Sequence, residues 1–202
     1  GRWRACLFRV GVRMRVLVAC EYSGTVRDAF IARGHDAWSC DLLPTDVDGP
    51  HIHGDVTEIL GDGWDLMVAH PPCTALCVSG NRYYAGTPAR VEALEFFRLF
   101  LDAPIEQVCV ENPVGVISTQ IRRPDQYIQP WQFGHPESKK TGLWLKGLPP
   151  LRETEALTLP ECGYWENQTP SGQNRLGPSE DRWKVRSATY AGIAEAMAEQ
   201  WT

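Results

Sequence analysis

"RVLVAC", residues 15–20, opens with one arginine and continues with apolar or thiol side chains alone. An unbroken apolar run of this length marks a parallel strand covered by helices on both faces. Ser23 follows where a side-chain cap would start a helix. Val26, Ala29, Phe30 and Ala32 then recur at helical spacing, and Gly34 stops the run. The rhythm repeats downstream. "HDAWSCD" (35–41) reads as a second strand, "HIHGD" (51–55) as a short third and "DLMVAH" (65–70) as a fourth. "ARVEALEFFRLFLDA" (89–103) reads as an amphipathic helix with Val91, Leu94, Phe97 and Leu101 on one face, and "EQVCVEN" (106–112) as a fifth strand. This alternation predicts a Rossmann-like, doubly wound α/β fold with a mostly parallel sheet and right-handed crossovers.

Beyond Pro113 the pattern changes. "DQYIQPWQF" (125–133) and "TGLWLKGL" (141–148) read as two antiparallel strands joined by a lysine-bearing loop. Residues 149–188 are rich in Pro, Gly, Asn and charge, with Trp165 and Trp183 embedded, and "YAGIAEAMAEQW" (190–201) reads as a closing helix. The α/β domain is therefore expected over 14–148 and 189–202. Residues 149–188 form a small loop-rich insertion, and 1–13 an extension ahead of Met14.

At 202 residues and 43% hydrophobic, the chain has enough material for one domain with its own core. No apolar run approaches the roughly 20 residues that span a bilayer, so no membrane partner is expected. Seven cysteines are an odd number. Cys20, Cys40 and Cys109 fall at strand ends or interiors, which suits reduced thiols in a cytosol better than a disulfide framework. A net charge of −5 argues against a simple grip on phosphates. The balance is uneven, however. Arg2, Arg4, Arg9, Arg13 and Arg15 crowd the start, and Arg122, Arg123, Lys139, Lys140, Arg175, Arg182, Lys184 and Arg186 concentrate in later loops, which leaves room for a local basic face.

In doubly wound sheets ligands bind beyond the carboxyl ends of the strands, at the switch in strand order. That rule gathers Cys20, Glu21, Tyr22, Ser23 and Gly24 after strand one, Asp41 and Leu42 after strand two, and Asp55 and Val56 after strand three. It adds His70, Pro71, Pro72 and Cys73 after strand four, and Glu111 and Asn112 after strand five. Asp41 suits the hydroxyls of a ribose and Asp55 an adenine amino group, although either also suits a plain turn. With one glycine, "CEYSGT" is a poor cradle for pyrophosphate, so an adenosine cofactor without phosphates fits better.

Cys73 and Glu111 form the stronger pair. A thiolate attacks an electrophilic ring carbon, and a carboxyl group across the crevice meets charge building in that ring. Two prolines fix the backbone before the cysteine. Three readings stay open at this point: a nucleophile, a zinc ligand with Cys77 and a histidine (His51, His53 or His70), or a thiol in a tight loop. Zinc is disfavoured, since no second paired motif completes the site, and no metal is expected.

Taken in order, these residues resemble the S-adenosylmethionine-dependent DNA cytosine-5 methyltransferases, in the short form found in phages and prophages. The family's Pro-Cys nucleophile motif is similar to "HPPC" ending in Cys73, and its Glu-Asn-Val motif to "ENP" at Glu111 and Asn112. "ACEYSG" stands at the first cofactor loop, Asp41 and Asp55 at the cofactor-contacting strand ends, and the closing helix at the family's last motif. The resemblance covers 14–112 and 190–201. It implies a class I methyltransferase fold, S-adenosyl-L-methionine as cofactor, and DNA as partner, either single-stranded or as a short duplex motif. It further implies Cys73 as nucleophile toward carbon 6 of a flipped cytosine, Glu111 on the ring nitrogen and amino group, and a setting in the cytoplasm of a bacterial host. His70 and Pro71 would wall the methyl donor. Arg122, in "QIRRP" (120–124), loosely echoes a further arginine motif. Three departures stand out: the single Gly24, Thr74 after the cysteine where the family has glutamine, and an insertion shorter than a target-recognition domain.

A monomer is expected, with residues 76–90 as a mobile loop over the site. Trp165, Trp183 and nearby arginines would be either DNA contacts or a packed cluster. The competing functions are methylation of a free pyrimidine nucleotide, amino-group methylation, and a degenerate fold that binds DNA or a partner protein.

Overall fold

Every residue of β1 (Arg15–Ala19) after its arginine is buried, and the strand lies in the interior of a seven-stranded sheet. It pairs in parallel with β2 (Asp36–Asp41) on one side and β4 (Leu66–Ala69) on the other. β2 pairs in parallel with β3 (His51–His53), and β4 with β5 (Gln107–Pro113). β7 (Thr141–Lys146) runs antiparallel between β5 and β6 (Gln126–Ile128), giving the order β3-β2-β1-β4-β5-β7-β6. The sheet is Rossmann-like, doubly wound and mostly parallel. Its strand order switches direction between β1 and β4, so a crevice is expected at their carboxyl ends. This computed structural model describes residues 12–171, 174–177 and 187–202. The chain before residue 12, and Arg182, Trp183, Lys184 and Arg186 of the insertion, lie outside the described residues.

Alternate residues of each strand feed opposite layers. Val16, Val18, Leu66 and Val68 pack with Val26 and Phe30 of α1 (Thr25–Ala32) and with Ile193 and Met197 of α5 (Ala191–Gln200). Leu17, Ala19, Met67 and Val110 pack on the other face with Phe97 and Phe100 of α3 (Pro88–Asp102) and with Trp144. Each such Val, Leu, Ile, Met or Phe side chain contributes about 1.5–3 kcal/mol on leaving water.

Two sequence expectations are corrected. α3 buries Phe97 and Phe100, whereas Val91 is 55% exposed. The aromatic rings of its second half, Phe97 edge-on to Trp144, set the buried face. β6 is three residues long, because Pro130 turns the chain into a 3₁₀ segment (Pro130–Gln132) instead of extending the strand to residue 133. Trp165, for which the sequence left DNA contact and packing both open, is buried at 5% exposure.

Candidate active site

β4 delivers its end directly against β1. The backbone N–H of His70 donates to the Ala19 carbonyl at 2.9 Å. Pro71 and Pro72 bring no N–H of their own, and the Pro71 carbonyl accepts from Asn112 Nδ2 at 2.8 Å. Asn112 is 1% exposed. It therefore acts as a brace between the end of β5 and the Pro-Pro turn. The Cys73 carbonyl accepts from the N–H groups of Leu76 (2.9 Å) and Cys77 (2.8 Å), so the half-buried Cys73 opens a tight turn.

The segment after Cys73 carries a 3₁₀ turn (Val78–Gly80) and α2 (Asn81–Tyr84), where a mobile loop is expected from sequence. Its first part lies against the chain beyond β5. The Val116 N–H donates to Leu76 O at 2.9 Å, and a Cβ on Gly115 would stand 2.0 Å from that oxygen. Cys77 Sγ lies 3.1 Å from Ser79 Oγ. Among the described residues no trio of His, Cys, Asp or Glu side chains is placed to hold a metal ion.

Glu111 follows on β5, one residue before the brace. Its Oε2 meets His70 Nδ1 at 3.1 Å, and both side chains are largely buried. Burial pushes the Glu111 carboxyl up. The hydrogen bond and charge of His70, the charge of Lys139 and the Thr141 hydroxyl outweigh it and hold Glu111 below the ordinary carboxylate range. His70 Nε2 and Asn112 Oδ1 are buried with no protein partner, a cost of about 1–3 kcal/mol each.

These groups line a cavity, open to solvent, at the ends of β1, β4 and β5. Cys20, Glu21, Tyr22 and Ser23 form one wall, and His70, Pro71, Pro72 and Cys73 form the next. Glu111, Asn112 and Pro113 close the third. Ten of the residues singled out from sequence therefore converge. Lys139 and the segment 187–189 also line the cavity, and sequence reasoning did not assign them to the site. Lys139 Nζ donates to Ala188 O at 3.1 Å and so ties the approach to α5 over the opening. The lysine pair was visible as charge, but only the reversed β7 carries it back beside Glu111.

Other strand-end residues do different work. Glu21 is 4% exposed, and its carboxylate accepts from the N–H of Val26 (2.7 Å) and Arg27 (3.3 Å), so it caps α1. Ser23, expected as the cap, stays in the loop, with its Oγ 3.2 Å from Glu21 Oε1. Gly24 adopts φ +74°, and a Cβ there would stand 2.4 Å from Arg27 Nη2. Its glycine serves that close approach to a fully buried arginine. Arg27 in turn bonds Asp28, Ser39 and the carbonyls of Val47 and Asp48.

Asp41 and Asp55 stand near enough to Cys20 to raise its thiol, but they lie outside the cavity. Asp41 Oδ1 accepts from Leu43 N at 2.9 Å, and Asp55 Oδ1 from Thr57 N at 2.9 Å. Leu42 is 73% exposed, and Val56 is buried in the core. Arg122 is also elsewhere. Its guanidinium binds Asp125 at 2.8 Å and Leu145 O at 3.1 Å. Leu145 pairs with Cys109, two residues below Glu111 on β5, so Arg122 staples the β6–β7 edge away from the cavity.

Electrostatics also separates the thiols. Burial, then Asp41, Cys40 and Asp55, push Cys20 far above the ordinary thiol value. Burial with the same two aspartates pushes Cys40 up to about 11. Cys109, wholly buried and close to Glu111, is likewise raised. These three stay protonated and inert at neutral pH, which leaves Cys73 as the cavity's candidate nucleophile.

No family model matches this chain, and no curated protein is similar to it in sequence. Among solved structures, it is similar to a prophage-encoded protein of E. coli described as a DNA modification methyltransferase, with a TM-score of 0.44 and 15% identity. The match covers 65% of this chain and 46% of that one, so this chain spans less than half of its structural neighbour. The fold assignment stands on the strand order.

Proposed function

We propose that the chain transfers a methyl group from S-adenosylmethionine to carbon 5 of cytosine in DNA, with Cys73 as transient covalent nucleophile. One observation carries this reading. Cys73 and Glu111, from different strands, line one cavity at the switch point and are held in register by the Asn112–Pro71 bond.

The cavity suits the cofactor chemically. Its walls combine apolar prolines with the Glu111 carboxyl and the Lys139 ammonium. Cys20 to Ser23 and His70–Pro71 would hold the cofactor, with Asp41 and Asp55 at its rim. When bound, it supplies an electrophilic methyl group on a sulfonium.

The chain's own groups do the rest. The target base must leave its stack to reach a recessed cavity. The Cys73 thiolate gives both electrons of a new bond to ring carbon 6, and the displaced π pair makes carbon 5 nucleophilic. Glu111 accepts from the exocyclic amine and so holds the ring in place against Cys73. Once carbon 5 is methylated, its proton passes to solvent. The freed pair restores the ring double bond, and the carbon–sulfur pair returns to Cys73 as thiolate.

The test uses DNA containing 5-fluorocytosine, in which that last step is blocked. Wild-type protein with S-adenosylmethionine should form an adduct that survives denaturing electrophoresis, and Cys73→Ala should form none. No adduct from the wild type would remove Cys73 as nucleophile. Methyl transfer to free pyrimidine nucleotides but not to DNA would move the acceptor to a small molecule.

A further inference from the structure

His70 enters the sequence reading as a wall beside the methyl donor, yet its polar contact is with Glu111. We propose that His70 is a positioning residue: its Nδ1–Oε2 bond fixes the Glu111 carboxylate as an acceptor at the cavity wall. This assignment rests on the methyl-transfer reading for its consequence, but not for its test.

Three features support it. Glu111 Oε2 has no proton to give when ionised, so at 3.1 Å the imidazole Nδ1 must be the donor. The two side chains are 10% and 18% exposed, so water screens the pair weakly. The backbone gives the pair little freedom, since His70 is tied to Ala19 O and Asn112, the residue after Glu111, is tied to Pro71 O.

The remaining groups around the pair do not duplicate His70. Lys139 and Thr141 approach Glu111 from the β7 side, and Lys139 is also engaged with Ala188 O. Cys20 and Cys109 are protonated thiols near neutral pH. Glu21 is spent on capping α1. Tyr190, beside Lys139, donates to Glu137 at 2.5 Å. Tyr22, whose hydroxyl lies 3.3 Å from Ser187 Oγ, and Cys73, the proposed nucleophile, complete the cavity's titratable groups.

Without the imidazole, burial would push the Glu111 carboxyl up, and a protonated Glu111 loses acceptor capacity toward an amine. Loss of His70 should therefore move the acid limb of the reaction toward neutral pH, because the carboxylate form that works is lost sooner as pH falls.

The experiment reads Glu111 directly. Side-chain carboxyl ¹³C shifts are followed against pH in glutamate-labelled protein, with Glu111→Gln identifying the resonance. The expected result is that His70→Ala raises the Glu111 midpoint by about one pH unit or more. His70→Asn, whose amide N–H reproduces the Nδ1 donor without its charge, should raise it less. An unchanged midpoint in both variants overturns the proposal, and the asparagine variant keeps it testable should the alanine variant not fold. A parallel pH profile of methyl transfer should show the acid limb moving with the midpoint. Absence of transfer or adduct in the wild type would count against the methyl-transfer reading alone, since the carboxyl titration still decides for or against His70.

Discussion

The two halves of the sheet's carboxyl edge obey one positional rule and differ in what their side chains do. At the ends of β4 and β5, side chains reach across strands: Asn112 to Pro71, His70 to Glu111. At the ends of β2 and β3, Asp41 and Asp55 turn back on their own loops, to Leu43 and Thr57. An acid at a strand end is therefore ambiguous by position alone, since the local turn competes for its oxygens. Cross-strand partners around a cavity separate a site from a turn.

The largest effect should fall at Cys73. Cys73→Ala should cost about a thousandfold or more in methyl transfer, while the denaturation midpoint stays within about 0.5 kcal/mol of wild type. Residual transfer near the wild-type rate would erase the contrast between the two edges. As a control on folding, Phe97→Ala should destabilise by about 3–5 kcal/mol, seen as a lower urea midpoint with little change in slope.

Asn112→Ala should come next. The orphaned Pro71 carbonyl costs about 1–3 kcal/mol of stability, and the loosened spacing of Cys73 and Glu111 should cost the rate about tenfold or more. Equal stability and rate would mean that the brace does not set the register.

An acid titration sharpens the comparison further. The folded Glu111 carboxyl lies below its ordinary value, so its contribution to stability is fully present above the ordinary carboxylate range. It is lost as pH falls through the folded midpoint. Acid unfolding of Glu111→Gln should lack that component, and identical acid profiles for both proteins would contradict it. The smallest effect belongs to the other edge. Asp41→Asn should weaken cofactor binding by no more than about tenfold, roughly 1.4 kcal/mol by titration calorimetry. A complete loss would make β2 a true site edge.

Much of this was legible in the chain. Apolar runs fixed β1, β4 and β5, and the carboxyl-end rule gathered Cys73, Glu111 and the Cys20 loop because parallel strands share one direction. What stayed hidden depends on long-range pairing or on competition between side chains. Lys139 reaches the cavity only because β7 reverses, and residues 187–189 only because the closing helix packs back on α1. Glu21 displaced Ser23 as cap because its longer side chain reaches two backbone N–H groups from inside the fold. Arg122 looked like part of a motif, but its spacing brought it to Asp125.

Arg27 gives the molecule a hidden vulnerability. One guanidinium, wholly out of solvent, receives the flat faces of Gly24 and Gly49 and hangs the 45–48 loop from its nitrogens. The rim of the cavity on that side is thus upholstered from beneath by a residue that no ligand would touch. In a survey of variants scored only by ligand retention, Arg27 would register as a binding residue, and its loss would be a collapse of the seat under an intact pocket wall.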